Sequence, residues 1–80
     1  MIDGRQVRAA RAMLGWSRED LLKAADISQS ALMRLESGLA DTRISTLRKI
    51  VAALSEQGIE FTSSADGSIG VVLRPVVVEQ

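Results

Sequence analysis

Between Ser17 and Glu36 the sequence carries two short helix signals with almost nothing between them, and this constrains the chain more than any other feature. Ser17 is a good N-cap, because its hydroxyl accepts from an orphan amide of the first turn. Glu19 and Asp20 place negative charge at the positive end of that helix, and Ser17-x-x-Asp20 resembles a capping box with a shortened acid. Leu21, Leu22, Ala24 and Ala25 supply its apolar face. Asp26 and Ile27 form a short break, and Asp tolerates the left-handed backbone that a sharp exit requires. Ser28 then caps a further helix, expected over Gln29 to about Ser37, with Ala31, Leu32 and Leu35 inward and Gly38 at its end. The first helix of such a pair braces the second.

The flanking sequence reads as more helix, then a change of period. Val7, Ala10 and Leu14 recur at helical spacing with Arg5, Arg8 and Arg11 among them, and Gly15 is placed to stop that helix as a left-handed residue. A last helix is expected from about Ser45 to Gln57, with the stripe Leu47, Ile50, Val51 and Leu54, ended by Gly58. From Ile59 the alternation has period two: Ile59 and Phe61 against Glu60 and Thr62, then Ile69, Val71 and Leu73. Ser63-Ser64-Ala65-Asp66-Gly67-Ser68 between them is turn chemistry, so a β-hairpin is expected. Pro75 cannot donate to a ladder, which makes Val76-Val77-Val78 an edge or a separate short piece. The expected fold is mainly α, a bundle of four or so helices with a short C-terminal β-hairpin. Residues 1–57 would form the helical part and 58–80 the tail of the same compact unit.

Composition removes several function classes. A chain of 80 residues makes one small domain, and at about this size only some 60% of the unfolded surface is buried, so a partner chain or staples often help. Disulfide staples are impossible without Cys, which fits a reducing cytoplasm. With neither His nor Cys, the usual proton shuttle, thiol nucleophile and soft metal ligands are missing, so no enzyme, metal or cofactor is expected. No apolar run of about 18 residues suggests a membrane span, and the N-terminus has no apolar region of signal-peptide type. Ten basic residues balance ten acidic ones. Residues 1–57 hold nine Arg or Lys against seven Asp or Glu, while 58–80 hold Arg74 against Glu60, Asp66 and Glu79. The helical part is therefore the more plausible polyanion-facing half.

Two short helices joined by three or four residues, the second opened by Ser, have the geometry of a helix-turn-helix. In that geometry the second helix lies in the major groove with its N-terminal residues at base edges, and both helix N-termini aim amides at phosphates. Gln29 and Ser30 open the second helix, with Met33 and Arg34 one turn later. These are the expected DNA contacts, joined by the capping residues Ser17 and Ser28 and by Arg18 at the start of the first helix. Met33 serves either as exposed filler or as contact to a thymine methyl.

The segment Arg11-x-x-x-Gly15-Trp16-Ser17-Arg18-Glu19-Asp20-Leu21, followed by Ala25-x-Ile27-Ser28-x-x-x-Leu32-x-x-Leu35-Glu36-x-Gly38, resembles the phage-repressor family of helix-turn-helix proteins, Cro-like and Xre-like. The resemblance runs from residue 5 to about 57, and the tail is similar to that of a small bacterial subgroup with a C-terminal hairpin. It implies a lambda-repressor-like bundle, Trp16 in the core, Arg43 touching the DNA backbone, and a partly buried salt bridge between Arg11 and Glu36. Two positions depart from the family pattern. Arg18 stands where Gln is usual, keeping reach to phosphate and adding charge, and Asp26 stands where Gly is common, adding a negative charge beside the DNA-facing edge.

These observations point to a cytoplasmic, bacterial, sequence-specific regulator of transcription, a repressor binding double-stranded DNA as a homodimer. The hairpin and the apolar tail from Val71 to Val78 are the expected dimer surface. The competing reading keeps the scaffold and binds another protein, as an antitoxin or an antiactivator, which the zero net charge and acidic tail favour.

Overall fold

The computed structural model describes residues 2–38 and 42–76. It contains helices α1 (Gly4–Leu14), α2 (Arg18–Ala25), α3 (Gln29–Glu36) and α4 (Ile44–Glu56), followed by strands β1 (Ile59–Ser63) and β2 (Ile69–Leu73). The expected mainly helical bundle with a C-terminal hairpin is the observed fold. Among the described residues no helix is long and apolar enough to cross a membrane.

Local chemistry sets the helix ends. Ser17 accepts from the Asp20 amide at 3.1 Å while Asp20 accepts from the Ser17 amide at 2.8 Å, completing the box with the shorter acid. Ser28 caps α3 through the Ala31 amide at 3.1 Å. Gly15 is left-handed at φ 68, and Asp26 takes the same region at φ 54. α1 has a start signal of its own: Asp3 accepts from the amides of Arg5 and Gln6, and Gln6 returns a bond through Oε1 to the Asp3 amide. α3 stops at Glu36, with Ser37 as its cap. α4 begins at Ile44, one residue before the expected Ser45, and its cap Arg43 supplies no side-chain bond to hold the boundary.

The helices close around Val7, Ala10, Leu21, Ala25, Leu32, Leu35, Leu47, Ile50, Ala53 and Leu54, to which β1 adds Ile59. On α4 the expected stripe is shifted: Ala53 is buried and Val51 only half-buried, because the helix turns its Ala53 side toward the core. Leu14, Trp16, Phe61 and Val71 pack against this core from its rim. α1 and α3 meet at Gly4, where a methyl group would run into the Leu35 carbonyl oxygen.

The hairpin is antiparallel, with Ile59 opposite Leu73, Phe61 opposite Val71 and Thr62 opposite Gly70. Gln6 fastens it to α1. The Gln6 side chain is buried, and its Nε2 donates to the Thr62 oxygen at 3.0 Å and to the Gly70 oxygen at 2.9 Å. One amide group thus caps α1 with its oxygen and spans both strands with its nitrogen. The alternation expected for β2 holds less firmly: Val71, packed against the core, is half-buried, but Ile69 is 40% and Leu73 41% exposed at the two ends of the strand. Of the valine triplet, Val76 is exposed, and Val77 and Val78 lie outside the described residues.

Candidate nucleic-acid interface

The outer side of α3 carries polar residues. Ser28, Gln29 and Ser30 at its start, and Met33 and Arg34 one turn on, are all exposed, while Leu32 and Leu35 on the opposite side are buried. Ala31, expected inside with them, is only half-buried and lines the cleft toward the start of α4. Ser30, Met33, Arg34 and Ser37 line a shallow open groove along the helix.

Beside it lies a polar cleft of about 180 Å³ between the start of α3 and the start of α4. Ser28, Ser30, Ala31, Arg34, Thr42, Arg43 and Thr46 line it. Four hydroxyls and two guanidinium groups on one concave wall suit a phosphate oxygen, which takes hydroxyl donors and planar Arg forks. The fold therefore brings together four of the residues expected from sequence, Ser28, Ser30, Arg34 and Arg43, around a single concavity. Thr42 and Thr46 were not expected there. The signal for them was their position on either side of Arg43, in the segment that opens α4.

Ser17 and Arg18 stand apart from that cleft, at the start of α2. The Ser17 amide is occupied by Asp20, so it is not an open donor at this helix terminus. Arg18 is bound from behind. Its Nε donates to Glu36 Oε1 at 2.9 Å, and Glu36 also takes Arg11 Nε at 2.8 Å and Arg11 Nη2 at 3.0 Å. The Arg11–Glu36 bridge between α1 and α3 is thus present, and Arg18 makes it a triad that the sequence did not suggest. Arg11 also donates to the Trp16 carbonyl at 3.2 Å, which ties in the turn between α1 and α2.

The triad is asymmetric in exposure. The Glu36 side chain is 2% exposed and that of Arg11 15%, whereas that of Arg18 is 54% exposed. Burial pushes the Glu36 carboxyl up, but the hydrogen bonds from Arg11 and Arg18 outweigh it and hold the group below its ordinary value. One carboxylate against two guanidinium groups leaves a single positive charge, and it is presented at Arg18. Among the described residues the two Nη groups of Arg18 have no hydrogen-bond partner, so a guanidinium fixed by Nε offers a free two-donor fork.

A family model described as helix-turn-helix matches residues 7–59, more than half of the chain. A comparison with curated proteins returns no match. The matched span opens within α1 and closes on the first residue of β1, so it holds the capped α2–α3 pair, the triad and the cleft. The chain belongs to the Cro- and Xre-like helix-turn-helix family of DNA-binding transcription regulators.

Proposed function

We propose that this protein is a sequence-specific repressor that binds its operator as a homodimer, with α3 in the major groove. Gln29 and Ser30 read base edges, Met33 packs on a thymine methyl, and Arg34 reaches either a base or the adjoining phosphate. Ser28 and Arg43, with Thr42 and Thr46, receive one backbone phosphate in the cleft, and Ser17 and Arg18 approach another at the start of α2. The observation that carries this reading is the adjacency of the exposed polar side of α3 to a hydroxyl- and Arg-lined cleft. A groove-reading helix needs a phosphate site beside it to fix register.

A single α3 covers only a few base pairs, so two copies on half-sites about one helical turn apart are needed for a useful site. The hairpin, with its exposed Ile69, Val72 and Leu73, is the surface assigned to that association. The cytoplasm is the compartment this activity requires, and neither catalysis nor a cofactor has a part in it.

Selection of bound duplexes from a random pool tests the reading. A single motif, repeated as an inverted pair, is the expected product. Recovery of unrelated sequences at equal frequency would remove the specific-regulator reading. A second reading, docking of another protein by the same scaffold, is favoured by an apolar depression of about 420 Å³ lined by Ile2, Ile44, Leu47, Arg48, Val51 and Ala52. Co-purification of a stoichiometric partner, with no enriched DNA, distinguishes it.

A further inference from the structure

We propose that the outer edge of β2 pairs with the same edge of a second copy, antiparallel and centred on Val71. The inference rests on the homodimer reading above and names its interface.

The hydrogen-bond alternation of the hairpin identifies the free groups. The Arg74 amide donates to the Gly58 oxygen at 2.8 Å and the Ser64 amide to the Ser68 oxygen at 2.8 Å. In an antiparallel pair every second residue bonds inward, so Glu60 with Val72 and Thr62 with Gly70 are the other inward pairs. The amides and carbonyls of Ile69, Val71 and Leu73 therefore point to the outer edge. Among the described residues the sheet has only β1 and β2, and no third strand occupies that edge. Strand edges are usually blunted by Lys, Pro or a bulge. β2 has no charged residue, and Pro75 comes only after the strand has ended.

The edge is complementary to itself. A two-fold axis at Val71 sets Val71 against its own copy, Ile69 against the copy's Leu73, and Gly70 against the copy's Val72. All three outward residues then bond to one another. A shift in one direction pairs Ile69 with Pro75, which has no amide, and a shift in the other pairs Leu73 with Gly67 beyond the strand. The central register also fits the side chains. Exposed Leu73 comes to lie beside exposed Ile69, at the rim of a depression of about 200 Å³ lined by Arg5, Gln6, Ala9, Ile69, Gly70 and Val71. Val72, 36% exposed on the opposite side of the hairpin, covers the one residue of the strand without a side chain. Arg74 faces Ser68, so no like charges meet. The product is a four-stranded sheet, beyond the minimum of about three strands at which a sheet is stable by its own packing.

Sedimentation equilibrium of the full chain at about 20–50 μM tests this, with folding checked by circular dichroism. The wild type is expected to be a dimer. Val71→Pro deletes an outward amide and no inward bond of the hairpin, and Ile69→Lys puts a charge on the edge. Each is expected to weaken the dimer by about tenfold or more. If Val71→Pro fails to fold, Ile69→Lys decides. Ile44→Lys, on the α4 depression, should leave the dimer intact. A monomeric wild type overturns the proposal, as does a dimer that tolerates both β2 variants, or one dissociated only by Ile44→Lys. Enrichment of one DNA motif by the same preparation separates these failures from failure of the DNA reading.

Discussion

Arg18 and Glu36 lie on different helices of the α2–α3 pair, and Arg18 Nε donates to Glu36 Oε1 at 2.9 Å. The same carboxylate holds Arg11 on α1, so one acid links three helices and leaves the exposed cation on the proposed DNA side. Removing the acid leaves the half-buried Arg11 with only the Trp16 carbonyl as a partner among the described residues. Glu36→Ala is expected to destabilise the fold by about 3–5 kcal/mol. Arg18→Ala breaks an exposed arm of the triad and should cost no more than about 1 kcal/mol. Urea denaturation of the two variants checks the contrast, and equal losses would show that Arg18, not Arg11, is the dependent partner.

Acid should act on the same site. The folded protein holds the Glu36 carboxyl below its ordinary 4.5, despite burial pushing the other way, because Arg11 and Arg18 hydrogen-bond to the ionised form. Asp3, bonded to the Arg5 side chain, and Asp20, bonded to the Ser17 amide, shift downward too. The unfolded chain therefore binds protons before the folded one. The stabilisation is complete above the ordinary carboxylate values and is lost as pH falls through the lower folded values. The urea midpoint is expected to be level from neutrality to about pH 5 and then to fall. Glu36→Gln should reduce the slope of that fall, and an unaltered slope would assign it to the other lowered carboxyls, Asp3, Asp20 and Asp66, the last held down by hydrogen bonding with Ser68.

Gln6 joins α1 to both strands through the Thr62 and Gly70 carbonyls. Gln6→Leu preserves much of the side-chain volume but loses both donors and the cap to Asp3. A loss of about 1–3 kcal/mol is expected, with amide exchange accelerated in β1 and β2 before the helices. Uniform acceleration over the whole chain would mean that the hairpin and helices open together.

Gly4→Ala should be costlier than a helix-favouring substitution ordinarily is, because the added methyl meets the Leu35 backbone rather than a movable side chain. A loss of about 1–3 kcal/mol is expected from the forced separation of α1 and α3. Gly15→Ala has open space around it and only the left-handed backbone to resist it, at about 1–2 kcal/mol. Thermal melts of the two variants, each paired with Glu36→Ala, tell them apart. Gly4→Ala should be non-additive with Glu36→Ala, and Gly15→Ala should add.

The parts of this fold that were legible in the sequence are those fixed by neighbours along the chain. Ser17, Ser28, Gly15 and Asp26 act within one helical turn, so their types alone located the end of α1, both ends of α2 and the start of α3. Asp3-x-x-Gln6 is a capping box of the same local kind, and the reading of the sequence missed it. What the sequence did not disclose depends on distant segments meeting. The Nε2 of Gln6 finds carbonyls more than fifty residues away, and Arg18 finds the acid expected for Arg11 alone. The cleft at Arg43 exists only because the start of α4 lies beside that of α3. Exposure along β2 was misjudged at its ends because alternation gives a side, while cover depends on what packs against it.

The central claim is that α3 reads bases, and the affinity of Gln29→Ala for the selected operator tests it most directly. Gln29 is exposed at the first position of α3, and among the described residues its side chain makes no hydrogen bond. Its loss is expected to weaken operator binding by about 1–3 kcal/mol, to relax preference at one or two positions, and to leave the salt slope unchanged. Arg18→Ala, measured alongside, should weaken all sequences alike and lower the slope by about one phosphate. Operator affinity and base preference that survive Gln29→Ala unchanged would contradict the placement of α3 in the groove.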